Sequence, residues 1–144
     1  MDEFPHTYSV AVSADPDDAV RITAEGLPGL AAAPPRQFGG SGEQWSPEDL
    51  LMASLASCFV LSFRAIAGMN NLEWSELKVE ASGELDKVER ITKFTRVTID
   101  ARLAVGAEED SAKAERLLQK AEAACFISNS LNCEVHLQSE IFGA

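Results

Sequence analysis

An α+β fold, rather than a parallel βαβ one, is what the order of elements in this chain predicts: strands, a long helix, strands, a helix and a last strand. Three observations carry that order. Residues 45–68, WSPEDLLMASLASCFVLSFRAIAG, read as a long helix with apolar or small residues on almost every side. Residues 110–124 set Ala114, Leu117, Leu118 and Ala121, and then Cys125, at helical offsets, the stripe of an amphipathic helix. Segments rich in β-branched residues flank both, with turn residues between them.

Taken in order, residues 7–12 and 19–24 read as short strands joined through Asp15-Pro16-Asp17-Asp18 into a hairpin. Residues 26–42 shift to Gly, Pro and Ala, the composition of a strand end and an irregular loop; a loop of that length in a compact domain is more often functional than idle. The long helix opens on Ser46 as cap, Pro47 at the first helical position, and Glu48 and Asp49 against the positive end of the dipole. Asn70 and Asn71 mark the turn after it. Residues 77–85 and 91–105 alternate as strands joined by a hairpin through residues 86–90, and residues 133–141, with Val135, Leu137 and Ile141 apolar, form the last strand. A helix apolar on every face must be enclosed. One small sheet cannot cover it, so a second copy of the chain is expected to do so, and the protein is predicted to be a homodimer.

Composition bounds the function. The 144 residues, 46% hydrophobic and 24% charged, make one domain with a core that needs no disulfide staples. A net charge of −11 without any cluster of Lys and Arg argues against nucleic acid and anionic lipid as partners. The acidic opening MDEFPHTYSV has no secretory pattern, and Ser54, Ser57, Ser62 and Arg64 interrupt the long helix as a membrane span. A cytoplasmic protein is expected. Its three cysteines, an odd number, argue against a disulfide framework and for redox or catalytic thiols.

A thiol is a nucleophile only as thiolate, and burial raises its pKa, so Cys58 in mid-helix needs a cation. Arg36, in the Pro-Pro-Arg-Gln-Phe-Gly-Gly loop before the helix, is the candidate, and Glu48 could hold its guanidinium bidentately. Ten helical residues separate Glu48 from Cys58. That is about 15 Å along the axis, so Glu48 and Arg36 are better placed to serve Cys58 of a partner subunit. Cys133, opening a strand, reads as a packing residue; with Cys125 and His136 it offers too few ligands at unusual spacing for zinc, and no metal or bound cofactor is expected. Gly39, Gly40 and Gly42 precede no Lys-Ser or Lys-Thr and make no phosphate loop.

The segments SPEDLLMASLASCF, LKVEASGELD, ITKFTRVTIDARLAV and AEAACFISNSLNCEV resemble the OsmC/Ohr family of peroxide-reducing proteins along nearly the whole chain, about residues 8–141. The resemblance implies an intertwined dimer, antiparallel sheets around a long buried central helix, with active sites at the subunit interface. Cys58 would match the peroxidatic cysteine, Cys125 the resolving one, and Glu48 the glutamate that pairs with the active-site arginine. Arg36 is the closer match to the arginine of the OsmC branch; Arg21, near the place of the Ohr arginine, lacks its flanking glycines. Ser-Pro-Glu in place of Asn-Pro-Glu marks a divergent OsmC-like member.

By that resemblance Cys58 reduces an organic hydroperoxide to an alcohol and becomes a sulfenic acid. Cys125 condenses with it to a disulfide, and an external dithiol, a lipoyl group on a protein, reduces the disulfide. Phe38, Leu55 and Phe59 are the apolar residues expected to favour an alkyl or fatty-acid tail. The rival reading keeps the fold and its apolar pocket as a binding module for a lipid-like or aromatic molecule, with silent cysteines.

Overall fold

The helix start at Ser46 is a reciprocal capping box. Ser46 Oγ accepts the Asp49 N–H at 3.0 Å, and Asp49 Oδ2 accepts the Ser46 N–H at 3.1 Å, so two otherwise free amides are satisfied. From it runs α1, Pro47–Met69. The structure, a computed structural model, describes residues 1–143 and divides into two compact units, Met1–Leu50 and Leu51–Ala144.

The first unit carries a three-stranded antiparallel sheet, β1 (Ala11–Ser13), β2 (Val20–Thr23) and β3 (Leu30–Ala32), with Val12 opposite Ile22 and Ile22 opposite Leu30. The predicted hairpin is present. Its turn is held by Asp15 Oδ1, which accepts the N–H groups of Asp17 and Asp18 at 3.1 and 2.9 Å. β3 falls in the stretch expected as a strand end and an irregular loop, where Leu-Ala-Ala has little strand propensity of its own; pairing with β2, and the Ala33 N–H donated to the Trp45 carbonyl at 2.9 Å, hold it extended. A single 3₁₀ turn, Arg36–Phe38, follows. Gly40 is required there, since a Cβ would collide with the Pro34 carbonyl.

The second unit is built on β4 (Trp74–Val88) and β5 (Ile91–Val105), an antiparallel pair closed by Glu89 and Arg90, both with positive φ (50° and 72°), the geometry of a tight type I′ turn. β6 (Glu134–Gly143) lies on the far side of β5 and parallel to it, Val97 opposite Val135 and Leu103 opposite Ile141. This corrects the expectation of purely antiparallel sheets. A parallel neighbour needs a crossover, and α2 (Ser111–Ala124) with the short α3 (Phe126–Ser130) supplies it.

From Val97 to Leu103 β5 alternates: Val97, Ile99, Ala101 and Leu103 are fully buried, while Asp100 and Arg102 face outward, and Ala104 and Val105 at its end are buried too. The buried face packs with Ala114, Leu117, Leu118 and Ala121 of α2 and with Leu55, Phe59, Phe63 and Ala67 of α1, spaced by four. The Phe63 ring meets Trp74 edge-on, centroids 5.4 Å apart. On its other side α1 is open: Leu61 is 56% exposed, and Ala56, Val60 and Leu61 form a groove with Leu77 and Val79 of β4. The helix expected to be buried all round thus buries one face within a single chain. α1 is also long and apolar enough to cross a membrane, with mean hydropathy 1.9 over its best window, a property that core helices share.

Candidate active site

The chemistry of the second unit gathers where α1 meets the end of α2. Cys58 lies on α1 one position before the buried Phe59, half-buried at the edge of the core-facing stripe. Cys125 is the residue at which α2 stops and α3 starts: its backbone is extended (φ −67°, ψ 115°), its side chain is fully buried, and its Sγ accepts the Ser128 N–H at 3.5 Å as the cap of α3. The two thiols are neighbours, each acting on the other's acidity. Sixty-seven residues apart in sequence, they meet because the α2 stripe ends at Cys125 against α1.

Their acidities diverge. Burial pushes the Cys58 thiol up, but the Ile127 amide, the Cys125 thiol, the Phe126 amide and the Ser62 hydroxyl all direct hydrogen bonds at its sulfur, and together they bring it below the ordinary thiol value. Burial is also the largest influence on Cys125; the Ser128 amide opposes it, but the neighbouring Cys58 sulfur adds to it, and Cys125 is pushed up to about 11. Cys58 is thereby the more acidic thiol of the two, and Cys125 the one that holds its proton beside it. Both are reduced.

Sequence reasoning missed Ser62, Phe126, Ile127 and Ser128. Ser62 was legible as the i+4 neighbour of Cys58 on one helix. Phe126 and Ile127 act through backbone N–H groups, which side-chain chemistry does not announce.

The other expected residues lie in the first unit. Glu48 Oε2 is buried with no hydrogen-bond partner among the described residues, and Glu48 lines a pocket of about 560 Å³ with Phe38, Val20, Ala32, Pro34 and Pro47. Arg36 does not meet Glu48 within the chain. It is exposed, its guanidinium lies across Gly42 where a Cβ would stand, and it takes part in no ion pair among the described residues. Arg21 likewise covers Gly29. Leu55 and Phe59, expected to line a substrate pocket, are corrected to core residues: both point at the sheet with no exposed surface, because they occupy the stripe that α1 buries. Cys133 packs partly buried against the core, and His136 sits 3.2 Å from Glu134. No three His, Cys, Asp or Glu side chains gather as a metal site among the described residues.

Residues 40–140 match the family described as OsmC-like protein. YmaD of Bacillus subtilis, an uncharacterized protein, is 26% identical over 109 residues, 74% of this chain and 73% of that one. The peroxiredoxin OsmC of Escherichia coli is 27% identical over 96 residues, 67% of this chain and 66% of that one. The organic hydroperoxide resistance protein of Xanthomonas axonopodis pv. citri is 30% identical over 98 residues, again 67% and 66%. Among solved structures, an OsmC-like protein of unknown function from Vibrio cholerae superposes with a TM-score of 0.85 at 21% identity, covering 96% of this chain and all of that one. The organic hydroperoxide resistance protein OhrB of B. subtilis gives 0.69 at 25% identity, covering 92% and 98%. With its family-wide match and its α+β fold in common with these structures, the chain belongs to the OsmC-like family.

Proposed function

We propose that the protein is a thiol peroxidase that reduces organic hydroperoxides to alcohols, with Cys58 as the attacking sulfur and Cys125 as its resolving partner. The observation that carries this reading is the pair itself: an acidified, half-buried thiol beside a second, weakly acidic thiol whose acidity it influences. The names of the relatives from E. coli and Xanthomonas support it.

Cys58 thiolate attacks one oxygen of the hydroperoxide: the S–O bond forms, the O–O bond breaks, and the departing alkoxide takes a proton from solvent to leave as the alcohol. Cys58 is then a sulfenic acid. Cys125 sulfur displaces its hydroxyl group, giving the Cys58–Cys125 disulfide, and the Cys125 proton leaves with that hydroxyl as water. An external dithiol of the lipoyl type, carried on a protein, exchanges with the disulfide, returning two thiols and becoming a disulfide itself. The ring of Phe126, 74% exposed on the residue whose amide faces Cys58, offers an alkyl chain an apolar contact.

The working form is a cytoplasmic homodimer, with nucleic acid and membrane excluded as partners by charge. The open apolar face of α1 supports the dimer. In it Arg36 pairs with the orphaned carboxylate of Glu48, and the two serve a Cys58. The apolar pocket beside Phe38 favours the second reading, a binding module with silent thiols.

Turnover separates them. With cumene hydroperoxide and dihydrolipoamide, the peroxidase consumes hydroperoxide, Cys58→Ser abolishes consumption, and Cys125→Ser stops it after the first turnover. Thiols that stay reduced under excess hydroperoxide would leave the binding module.

A further inference from the structure

The short α3 gives Cys58 two backbone amides, those of Phe126 and Ile127, and a helix of five residues has little stability of its own. What holds it is a set of side-chain hydrogen bonds. The Ser128 hydroxyl, on a residue only 8% exposed, donates to Glu122 Oε1 on the last turn of α2. Asn129 Nδ2 donates to the Ala123 carbonyl at 3.0 Å, one of the carbonyls that α2 leaves free at its end. Within α3, the Ser130 hydroxyl closes on the Phe126 carbonyl at 2.7 Å.

Ser128 also acts from its backbone. Its N–H occupies Cys125 Sγ at 3.5 Å, which leaves the Cys125 S–H free to point at Cys58. A continuous chain therefore runs from the Glu122 carboxylate through Ser128 and Cys125 to the Cys58 sulfur. The peroxide chemistry proposed above does not consume Glu122 or Ser128; neither touches the Cys58 sulfur.

We infer that Glu122 and Ser128 are positioning residues for the reactive thiol: their hydrogen bond clamps α3 onto α2 so that the Phe126 and Ile127 amides and the Cys125 thiol converge on Cys58. The inference rests on Cys58 as the reacting thiol, yet its test reads thiol ionisation rather than turnover, so either can fail without the other. This pair joins the last turn of α2 to α3.

The test is the pH dependence of Cys58 alkylation by iodoacetamide, mapped to its own peptide so that Cys125 and Cys133 are read separately, in the parent and in Ser128→Ala, Ser128→Thr, Glu122→Ala and Glu122→Gln. Loss of the clamp in the two alanine variants moves the Cys58 midpoint up towards that of a free thiol and slows alkylation at neutral pH by about three- to tenfold, one unit of pKa being a factor of ten in thiolate. Ser128→Thr keeps the hydroxyl and Glu122→Gln keeps an acceptor, so both hold the parental midpoint. A parental midpoint in Ser128→Ala or Glu122→Ala overturns the inference. So does an equal upward shift in all four variants, which would report general loosening of the fold; where an alanine variant does not fold, the conservative variant at the same position decides, a shifted midpoint in it overturning the inference and a parental one supporting it.

Discussion

Cys58 and Cys125 divide the labour of one reaction because their surroundings push their acidities apart. The sign is definite. Cys58, acidified by the hydrogen bonds at its sulfur, ionises below the ordinary thiol value and before its partner; Cys125 keeps its proton until about 11. The two titrate as a pair, so Cys58 and Cys125 are expected to contribute two separate steps to the ultraviolet thiolate absorbance, the lower of them lost in Cys58→Ser. Linkage follows the same signs. Stability from the depressed Cys58 is present above the unfolded thiol pKa and lost as pH falls through its folded value. Stability from the raised Cys125 is present below the unfolded pKa and lost as pH rises towards about 11. Of this site, the two sulfurs were legible in the sequence, as thiols on apolar helix faces. Their acidity was not, because a cation was sought where backbone amides of Phe126 and Ile127 act instead. Arg36, chosen for that task, lies over Gly42.

The elements were read best where a pattern is local. The capping box at Ser46, the α2 stripe and β5 from Ile91 to Val105 each follow from residues within a few positions of one another. β3 escaped because its partner, β2, is what makes Leu-Ala-Ala a strand, and the parallel direction of β6 escaped because only the crossover through α2 and α3 dictates it. For α1, uniform apolarity hid which face is inward. The structure selects Leu55, Phe59, Phe63 and Ala67, so Phe59→Ala, at a fully buried ring, should destabilise the fold by about 3–5 kcal/mol in denaturant titration through the cavity it leaves. Leu61→Ala, on the open face, should cost well under about 1 kcal/mol in the isolated chain.

At the level of the assembled protein, one chain leaves a face of α1 open and Glu48 with a buried oxygen that has no partner among the described residues. A proposed second copy answers both. It buries the face around Val60 and Leu61, and it brings a guanidinium within reach of the carboxylate. Light scattering of the native chain is expected to give the mass of two chains, and Leu61→Glu, which puts a charge into that face, the mass of one; a native monomer would remove the dimer from the account. Because Phe59 and Leu61 lie on different faces, the two substitutions separate folding from assembly.

The central claim is that hydroperoxide oxidises Cys58 and that Cys125 resolves it. The most direct measurement is the intact mass and peptide map of the native protein after one equivalent of cumene hydroperoxide. The account predicts a loss of about 2 Da and a peptide joining Cys58 to Cys125, replaced in Cys125→Ser by a gain of about 16 Da on the Cys58 peptide. An unchanged mass with both thiols still alkylatable, or a disulfide formed through Cys133 instead, would contradict it.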